Sequence, residues 1–443
     1  MGDQQEPRSG MGILFLVVLI DLIGFTLVIP FLTYFVQDLA TGDGFTEIGE
    51  RDLWVGIMLA AYTFGQFIFT PILGSLSDRV GRRPVIMFGL ISNTVFFVSF
   101  GLSGSLWFAL IVRFLAGAGN GNIAVARAYI GDISSPEQLK GRMGMIGAAF
   151  GLGFMIGPFL GGILTDPYTN FGGLFMTPWW QAHPYFLPCL LAGMLSAISF
   201  VFAIRQLPES LPPESRKVSG SKGNAVKEIA GNLLGIRDLS VSVRILIIVN
   251  ALFLVAFTIM HTTFILFTAM PIDQGGLGFD VRANGYIFAF VGLVGVLVQG
   301  GFMRSQMAER MDTRKMMVFG VLVCGLGLGW IPYLRPEPFI IILLPMACIA
   351  LGNGLFQPTQ NTLLTLEARS SKLDLGRVMG AQEGFGALSR IIGPILAAFV
   401  WAETVDGTGF WTYHTVFRLS CILTIIAALS QITLRLNSVP EEE

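Results

Sequence analysis

Charge is scarce in this chain: 13% of its 443 residues are Asp, Glu, Lys or Arg, against about a quarter in soluble domains. Histidine is scarcer still, at three residues, and the four cysteines (Cys189, Cys324, Cys348 and Cys421) lie singly in apolar runs without metal-ligand spacing. These shortages exclude several kinds of protein. A metal centre or a disulfide framework would have almost nothing to draw on, so no metal and no cofactor are expected, and the cysteines read as reduced packing residues. A net charge of −1 without any basic run leaves nucleic acid nothing to grip. The alternating ten-residue strands of a membrane barrel are missing too.

What fills the chain instead is hydrophobic: 53% of residues, with a mean hydropathy of +0.69. A run of about 20 mainly apolar residues crosses a bilayer as a helix. Twelve such segments are found, centred near Val28, Phe64, Phe96, Ala118, Gly153, Leu195, Phe257, Val294, Gly325, Leu351, Ile391 and Thr424. An all-α membrane protein of twelve transmembrane helices is expected, with the lipid bilayer as its surroundings. The first segment could pass for a signal peptide, but it carries Asp21 and Pro30 and has no convincing cleavage site, so it is kept as a spanning helix. Cations concentrate in alternate links, among them Arg79, Arg82 and Arg83, then Lys140 and Arg142, then Arg304, Arg310, Arg314 and Lys315. By the positive-inside rule both termini are cytoplasmic, in a plasma or inner membrane.

The longest polar interruption, from Gln206 to about Val243, is rich in Pro, Ser and charge and reads as a linker. It divides an N-terminal six-helix bundle (1–205) from a C-terminal one (243–443), with the cytoplasmic linker at 206–242. The halves echo each other at a nearly constant offset. Gly119-Asn120-Gly121 returns as Gly352-Asn353-Gly354, Gly141-Arg142 as Gly376-Arg377, and Gly157-Pro158 as Gly393-Pro394. The short charged link Asp78-Arg79 has a degraded copy at Glu309-Arg310. The chain reads as two pseudo-symmetric bundles.

That charged link is GSLSDRVGRRP, Gly74 to Pro84. Its G-x-x-x-D-R-x-G-R-R pattern resembles the signature loop of the major facilitator superfamily. RFLAG with Arg113, AYIGDISSPEQ with Asp132, and GFMIGPFLGG from Gly153 to Gly162 agree with it. The last is similar to the antiporter motif of the drug:proton antiporter branch, and the first half resembles the tetracycline-type exporters. The resemblance implies the major facilitator fold and transport without enzymatic turnover. It also implies that Asp78 meets the N-terminus of helix 11 near Gly376 and that Arg82 pairs with Asp132. Gly74, Asp78, Arg79, Gly81, Arg82, Arg83 and Asp132 would then form a gate, with Gly74 allowing close helix approach and Gly81 a tight turn. A purely topological role for the cations is the alternative.

Ionisable groups within a membrane cost about 2.5–3.5 kcal/mol each on insertion scales, so they are functional candidates. Asp21 and Arg113 come out at similar depths, within about 5 Å of each other by the rise of a helix. Desolvation and a nearby guanidinium act in opposite directions on a carboxyl's proton affinity. Movement between the two could load and release a proton; a fixed ion pair is the alternative. Glu383 is a third candidate for proton coupling. It shares a helix face with Arg390, about 10 Å away along the axis and so out of direct contact. Arg390 and the lack of an acid in segments 3 and 8 set the chain apart from the tetracycline exporters.

Phe25, Tyr62, Gln66, Asn250, Phe257, His261, Gln357, Gln360, Asn361 and Arg390 would line a mixed aromatic and hydrogen-bonding cavity for an amphiphile; each could equally be an interhelical hydrogen bond. Gly153, Gly157, Pro158, Gly161 and Gly162 form a small-residue face with a kink, expected to pack against the other half. Gly117 to Gly121 lacks the spacing and the preceding strand of a phosphate loop. The reading is a monomeric secondary transporter that exports a small amphipathic organic compound in exchange for protons. An organic anion or lipid-like phosphate is the alternative substrate, and a membrane receptor or enzyme the more remote one.

Overall fold

Twelve helices of the computed structural model are long and apolar enough to cross a membrane, and helix is the only regular structure among the described residues. Those residues are 8–171, 174–216, 231 and 235–432; much of the expected linker, 217–230 and 232–234, lies outside them. The spans are α1 (Arg8–Leu27, continued by Ile29–Gly42), α2 (Ile48–Val80), α3 (Arg82–Gly101), α4 (Leu106–Gly119, continued by Asn122–Ile133), α5 (Pro136–Leu164) and α6 (Phe186–Gln206). They go on as α7 (Val241–Ala269), α8 (Val281–Val296), α9 (Thr313–Trp330), α10 (Ile340–Ser370), α11 (Leu375–Thr404) and α12 (His414–Ile432). Every segment centre found in the sequence falls within its helix except Val28, which sits at the break in α1.

The breaks have local causes. Pro30 has no amide hydrogen and crowds the carbonyl four residues earlier, so α1 interrupts at Val28. The Gly117–Gly121 run is the break in α4, where Asn120 and Gly121 leave helical geometry. Helix starts are set by short polar side chains that accept from free backbone amides. Ser105 caps α4, Ser240 α7, Asp312 α9 and Asp374 α11, the last accepting from Gly376 at 2.7 Å and Arg377 at 3.3 Å. α8 ends in a π turn at Leu297–Gly301, a geometry that recurs at functional places in helices.

Membrane helices show an inverted surface, with large apolar side chains outward. On α3, Phe88, Ile91 and Val95 are exposed while Ile86, Leu90 and Phe97 are buried, so lipid and protein take opposite faces. The chain forms two compact units. One comprises Met1–Phe35, Phe64–Ala225 and Val281–Gly292; the other comprises Val36–Thr63, Val226–Asp280 and Leu293–Glu443. Each is most of one sequence half plus a piece of the other. In the first, Leu14, Leu22, Leu90, Tyr129 and Ile130 build the core. In the second, Phe253 stacks on Phe356 with ring centroids 4.0 Å apart, beside the fully buried Phe264, Phe267, Phe417 and Trp401.

Candidate functional site

Asp21 lies about two-thirds of the way along the first segment of α1 and is 2% exposed. Its carboxylate accepts from the side-chain amide of Asn93 on α3, and the Asn122 amide at the restart of α4 lies beside it. A neutral amide carries donor and acceptor together, so it can serve a carboxylate or a carboxylic acid by turning over. Arg113 is buried on α4 with its guanidinium 5.3 Å from the centre of the Phe100 ring. Asn93 and Asn122 were not singled out in the sequence. The available signal was a pair of amides in segments otherwise nearly free of polar groups.

The charged link between α2 and α3 is a closed network. Gly81 takes φ +109°, a conformation disfavoured for side-chain-bearing residues, and turns the chain between the helices. Arg82 spreads its guanidinium over three acceptors: Asp132 Oδ2 at 3.0 Å, Ser77 Oγ at 2.7 Å, and Asp78. Arg83 reaches the carbonyl of Ile204 at the end of α6, while Arg79 is exposed. The segment just past α6 joins this network, which was not expected from the sequence. Glu209 accepts from the backbone amides of Arg82 at 2.8 Å and Arg83 at 3.2 Å, capping the N-terminus of α3. Ser210 donates to Asp132 Oδ2 at 3.0 Å, and Tyr129 donates to Pro208 O at 2.8 Å. The Pro-Glu-Ser triplet at the head of the linker was the legible sign. Gly74 requires a correction: a Cβ there would meet open space, so no close helix approach depends on it.

In the second unit, Arg390 and Glu383 form an ion pair at 3.7 Å, which corrects the expectation that two helical turns keep them apart. Side chains on a helix tilt toward its N-terminus, so the long Arg390 leans back along α11 to Glu383. Gln382 donates to Asn361 Oδ1 at 2.7 Å. Gln360 is no lining residue: fully buried on α10, it donates to Leu246 O on α7 at 2.7 Å and ties the two helices. Asn250 and Tyr62 are also buried, whereas Gln357, Phe257 and His261 are partly exposed. Phe257 lies nearly parallel to Phe253 with centroids 6.3 Å apart. In the first unit, Phe25 and Gln66 are partly exposed, and Gln66 reaches Asn120 O at 3.5 Å.

The glycines of α5 divide between two partners, which corrects the expectation of one partner in the other half. A Cβ at Gly153 would lie 2.9 Å from Leu22 Cβ, one at Gly157 would strike Thr26 and come within 2.8 Å of Ile23 O, and one at Gly161 would strike Leu27 O. This stripe therefore packs on α1, with Thr26 Oγ1 donating to Gly153 O at 2.8 Å. Of these four, Gly162 faces α8, where a Cβ would lie 3.0 Å from Gly285 Cα. Pro158 lies inside the same stretch of α5, which stays helical through it.

Twelve apolar spans with a charged α2–α3 turn, a buried carboxylate on α1 and a glycine-lined α5 suit a membrane transporter. The chain belongs to the major facilitator superfamily, whose family model matches residues 14–394. Tetracycline resistance protein, class E, of Escherichia coli is 26% identical over 418 residues, covering 93% of this chain and 92% of that protein. Major facilitator superfamily domain-containing protein 10 of Homo sapiens is 27% identical over 467 residues, covering 95% and 93%. Among solved structures, the human organic anion transporter MFSD10 (TETRAN) gives a TM-score of 0.68 at 23% identity, covering 97% of this chain and 100% of that one. A D-xylose-proton symporter gives a TM-score of 0.73 at 14% identity, covering 97% and 98%. These likenesses establish the fold, and the family and its structural neighbours are membrane transporters.

Proposed function

We propose that this protein is a secondary active transporter that exports an amphipathic small organic compound in exchange for protons by alternating access. The observation that carries this reading is Asp21, a carboxylate deep in α1 attended by the amides of Asn93 and Asn122. Such surroundings support both protonation states, as a group that must load and unload a proton on every cycle requires. Arg113, on α4, sets the local field, and Glu383 is the second acidic group of the pathway. The likeness to tetracycline resistance proteins supports the direction of transport. The two sequence halves, 1–205 and 243–443, are the rocking bundles of a monomer with both termini on the cytoplasmic side of a plasma or inner membrane. The network around Asp78, Arg82, Asp132 and Glu209 is its cytoplasmic gate.

The test is flux in proteoliposomes over a panel of lipophilic cations, neutral amphiphiles and organic anions, with and without a pH gradient. Gradient-driven accumulation of at least one amphiphile is expected. Flux of the whole panel that ignores the gradient would overturn the exchange mechanism.

A second substrate reading, an organic anion or lipid-like phosphate, draws on Arg390. Its guanidinium side chain is 40% exposed on α11 and is held by Glu383 rather than being locked into the core. The relation to an organic anion transporter supports the same reading. Saturation by anionic probes alone would select it.

A further inference from the structure

A second buried carboxylate lies outside the Asp21 and Asp78 networks. Asp52 is 2% exposed, one turn into α2, at the end of the helix remote from the Asp78 loop. Three donors from three elements close on it. Gln37, on the second segment of α1, donates to Oδ1 at 2.7 Å; the neighbouring Arg51 donates to the same oxygen at 3.2 Å; and the indole N–H of Trp401, on α11, donates to Oδ2 at 2.9 Å. Trp401 is fully buried.

Asp52 sits in the middle of a seam. A Cβ at Gly49 would lie 2.7 Å from Ala402 O, and one at Gly56 would strike Ala398, so α2 and α11 touch backbone to backbone on either side of it. Two turns beyond Gly56, Thr63 Oγ1 donates to Arg390 O at 3.2 Å. Positions 49, 56 and 63 recur at the seven-residue spacing that keeps one helix face on its partner. Asp52 lies on that face, three residues from Gly49 and four from Gly56. Its bond to Trp401 joins two side chains across this contact, where Thr63 bonds only to backbone.

The donor arrangement makes this tie sensitive to one proton. A carboxylate only accepts, and Arg51 and the Trp401 indole only donate, whereas the Gln37 amide can turn its own oxygen toward a proton. A carboxylic acid must place an O–H on one of its oxygens. On Oδ1 that hydrogen would face the Arg51 cation even with the Gln37 amide turned over. Oδ2 meets only the neutral indole, so the proton goes there and two donors then oppose each other across the Trp401 contact. Arg51, with 29% of its side chain exposed, links the group to solvent at this end. The other charged groups nearby on these helices, Asp38, Glu50 and Glu403, are exposed, and beyond Trp401 the Tyr413 hydroxyl is engaged with Gly275 O at 3.0 Å.

We infer that Asp52 is a second proton-binding site, filled from the end of the molecule remote from the Asp78 loop, and that its occupancy releases Trp401 and opens the α2–α11 seam. The inference rests on the alternating-access reading, since only a seam that must part needs a release. It makes proton binding at this face the trigger for exposing the pathway there, separate from the proton carried by Asp21.

The experiment reads the seam directly. Spin labels at Glu50→Cys and Glu403→Cys, with Cys348 and Cys421 replaced by Ser, report the α2–α11 distance by pulsed dipolar spectroscopy in lipid nanodiscs from pH 8 to pH 5. A long-distance population that grows as pH falls is expected, with a one-proton dependence. Asp52→Asn should show that population at every pH with the response lost, and Trp401→Phe, which keeps a ring but has no N–H to give, should lose most of the response. Asp21→Asn should retain the response while losing gradient-driven flux, which separates a failure here from a failure of the exchange reading. A distance in the parent protein that does not change with pH, or a response in Trp401→Phe equal to that of the parent, would overturn the inference even if Asp52→Asn does not fold.

Discussion

Asn93 donates its side-chain amide to the carboxylate of Asp21, joining α3 to α1 inside the membrane-spanning part of the first unit. The acid is thereby held by a neutral partner on a neighbouring helix. Replacing Asn93 with Leu removes the donor while roughly keeping the volume, and a buried acceptor left without its partner costs about 1–3 kcal/mol. Thermal unfolding in detergent should show Asn93→Leu less stable than the parent. The double variant Asn93→Leu, Asp21→Leu, which removes both polar groups, should recover much of the loss. Equal stability of Asn93→Leu and the parent would mean that the bond contributes nothing to the fold.

Glu209 gathers three backbone amides on one carboxylate: the first two of α3 and Leu211 N at 3.1 Å. An N-terminal acceptor of this kind contributes about 0.5–2 kcal/mol. Glu209→Ala should therefore lower the unfolding temperature and loosen the start of the linker from the Asp132 network. Glu209→Gln keeps an acceptor oxygen and should lose less. Hydrogen exchange at the amides of residues 81–85 is the measurement. Unchanged protection in Glu209→Ala would show that another group caps the helix.

How much of this could be read from the sequence depended on the range of the interaction. Helix number follows from apolar run length, which is local, and all twelve spans were legible. The Gly81 turn and the Arg82–Asp132 pair were legible because a motif carries them. What the sequence concealed was long-range or rotational. Asn93, Glu209 and Trp401 meet partners 72, 127 and 349 positions away, and nothing in a linear pattern says which polar residues face each other. The direction of a glycine stripe was hidden for the same reason: Gly157 could face either neighbour until α1 was placed against it. The Glu383–Arg390 contact depends on the reach of two long side chains, which spacing along the helix axis does not measure.

Arg390 separates the two substrate readings. Its 3.7 Å pair with Glu383 is part-exposed on both sides, and such pairs contribute only about 0–1 kcal/mol. An anionic substrate can therefore displace the carboxylate at little cost. Arg390→Gln should raise the half-saturating concentration of anionic probes roughly tenfold or more, a loss of about 1.4 kcal/mol or more by the relation between affinity and free energy, and leave cationic probes nearly unchanged. Competition flux assays with matched anionic and cationic amphiphiles measure the ratio. Equal losses for both would make Arg390 a packing residue of α11.

Asp21 carries the exchange reading, so its substitution is the most informative. Asp21→Asn keeps the shape and a hydrogen-bonding group toward Asn93 while holding the site permanently neutral, as if protonated. A carrier so altered can still bind substrate and swap it across the membrane in both directions, but no proton can be taken up or given off. Substrate exchange between equal pools should therefore survive in part, while accumulation driven by a pH gradient is lost. Asp21→Glu should retain some driven transport, since a carboxyl remains on a slightly longer stem among the same amides. A purely structural Asp21 makes the opposite forecast. Were Asp21 and Arg113 a fixed ion pair, removing one partner would cost about 3–5 kcal/mol, and stability, exchange and driven flux would fall together. In the double variant Asp21→Asn, Arg113→Gln no charge remains at either position. Recovery of gradient-driven flux in that protein would remove Asp21 as the proton carrier and turn attention to Glu383, whereas recovery of stability alone leaves the carrier role intact.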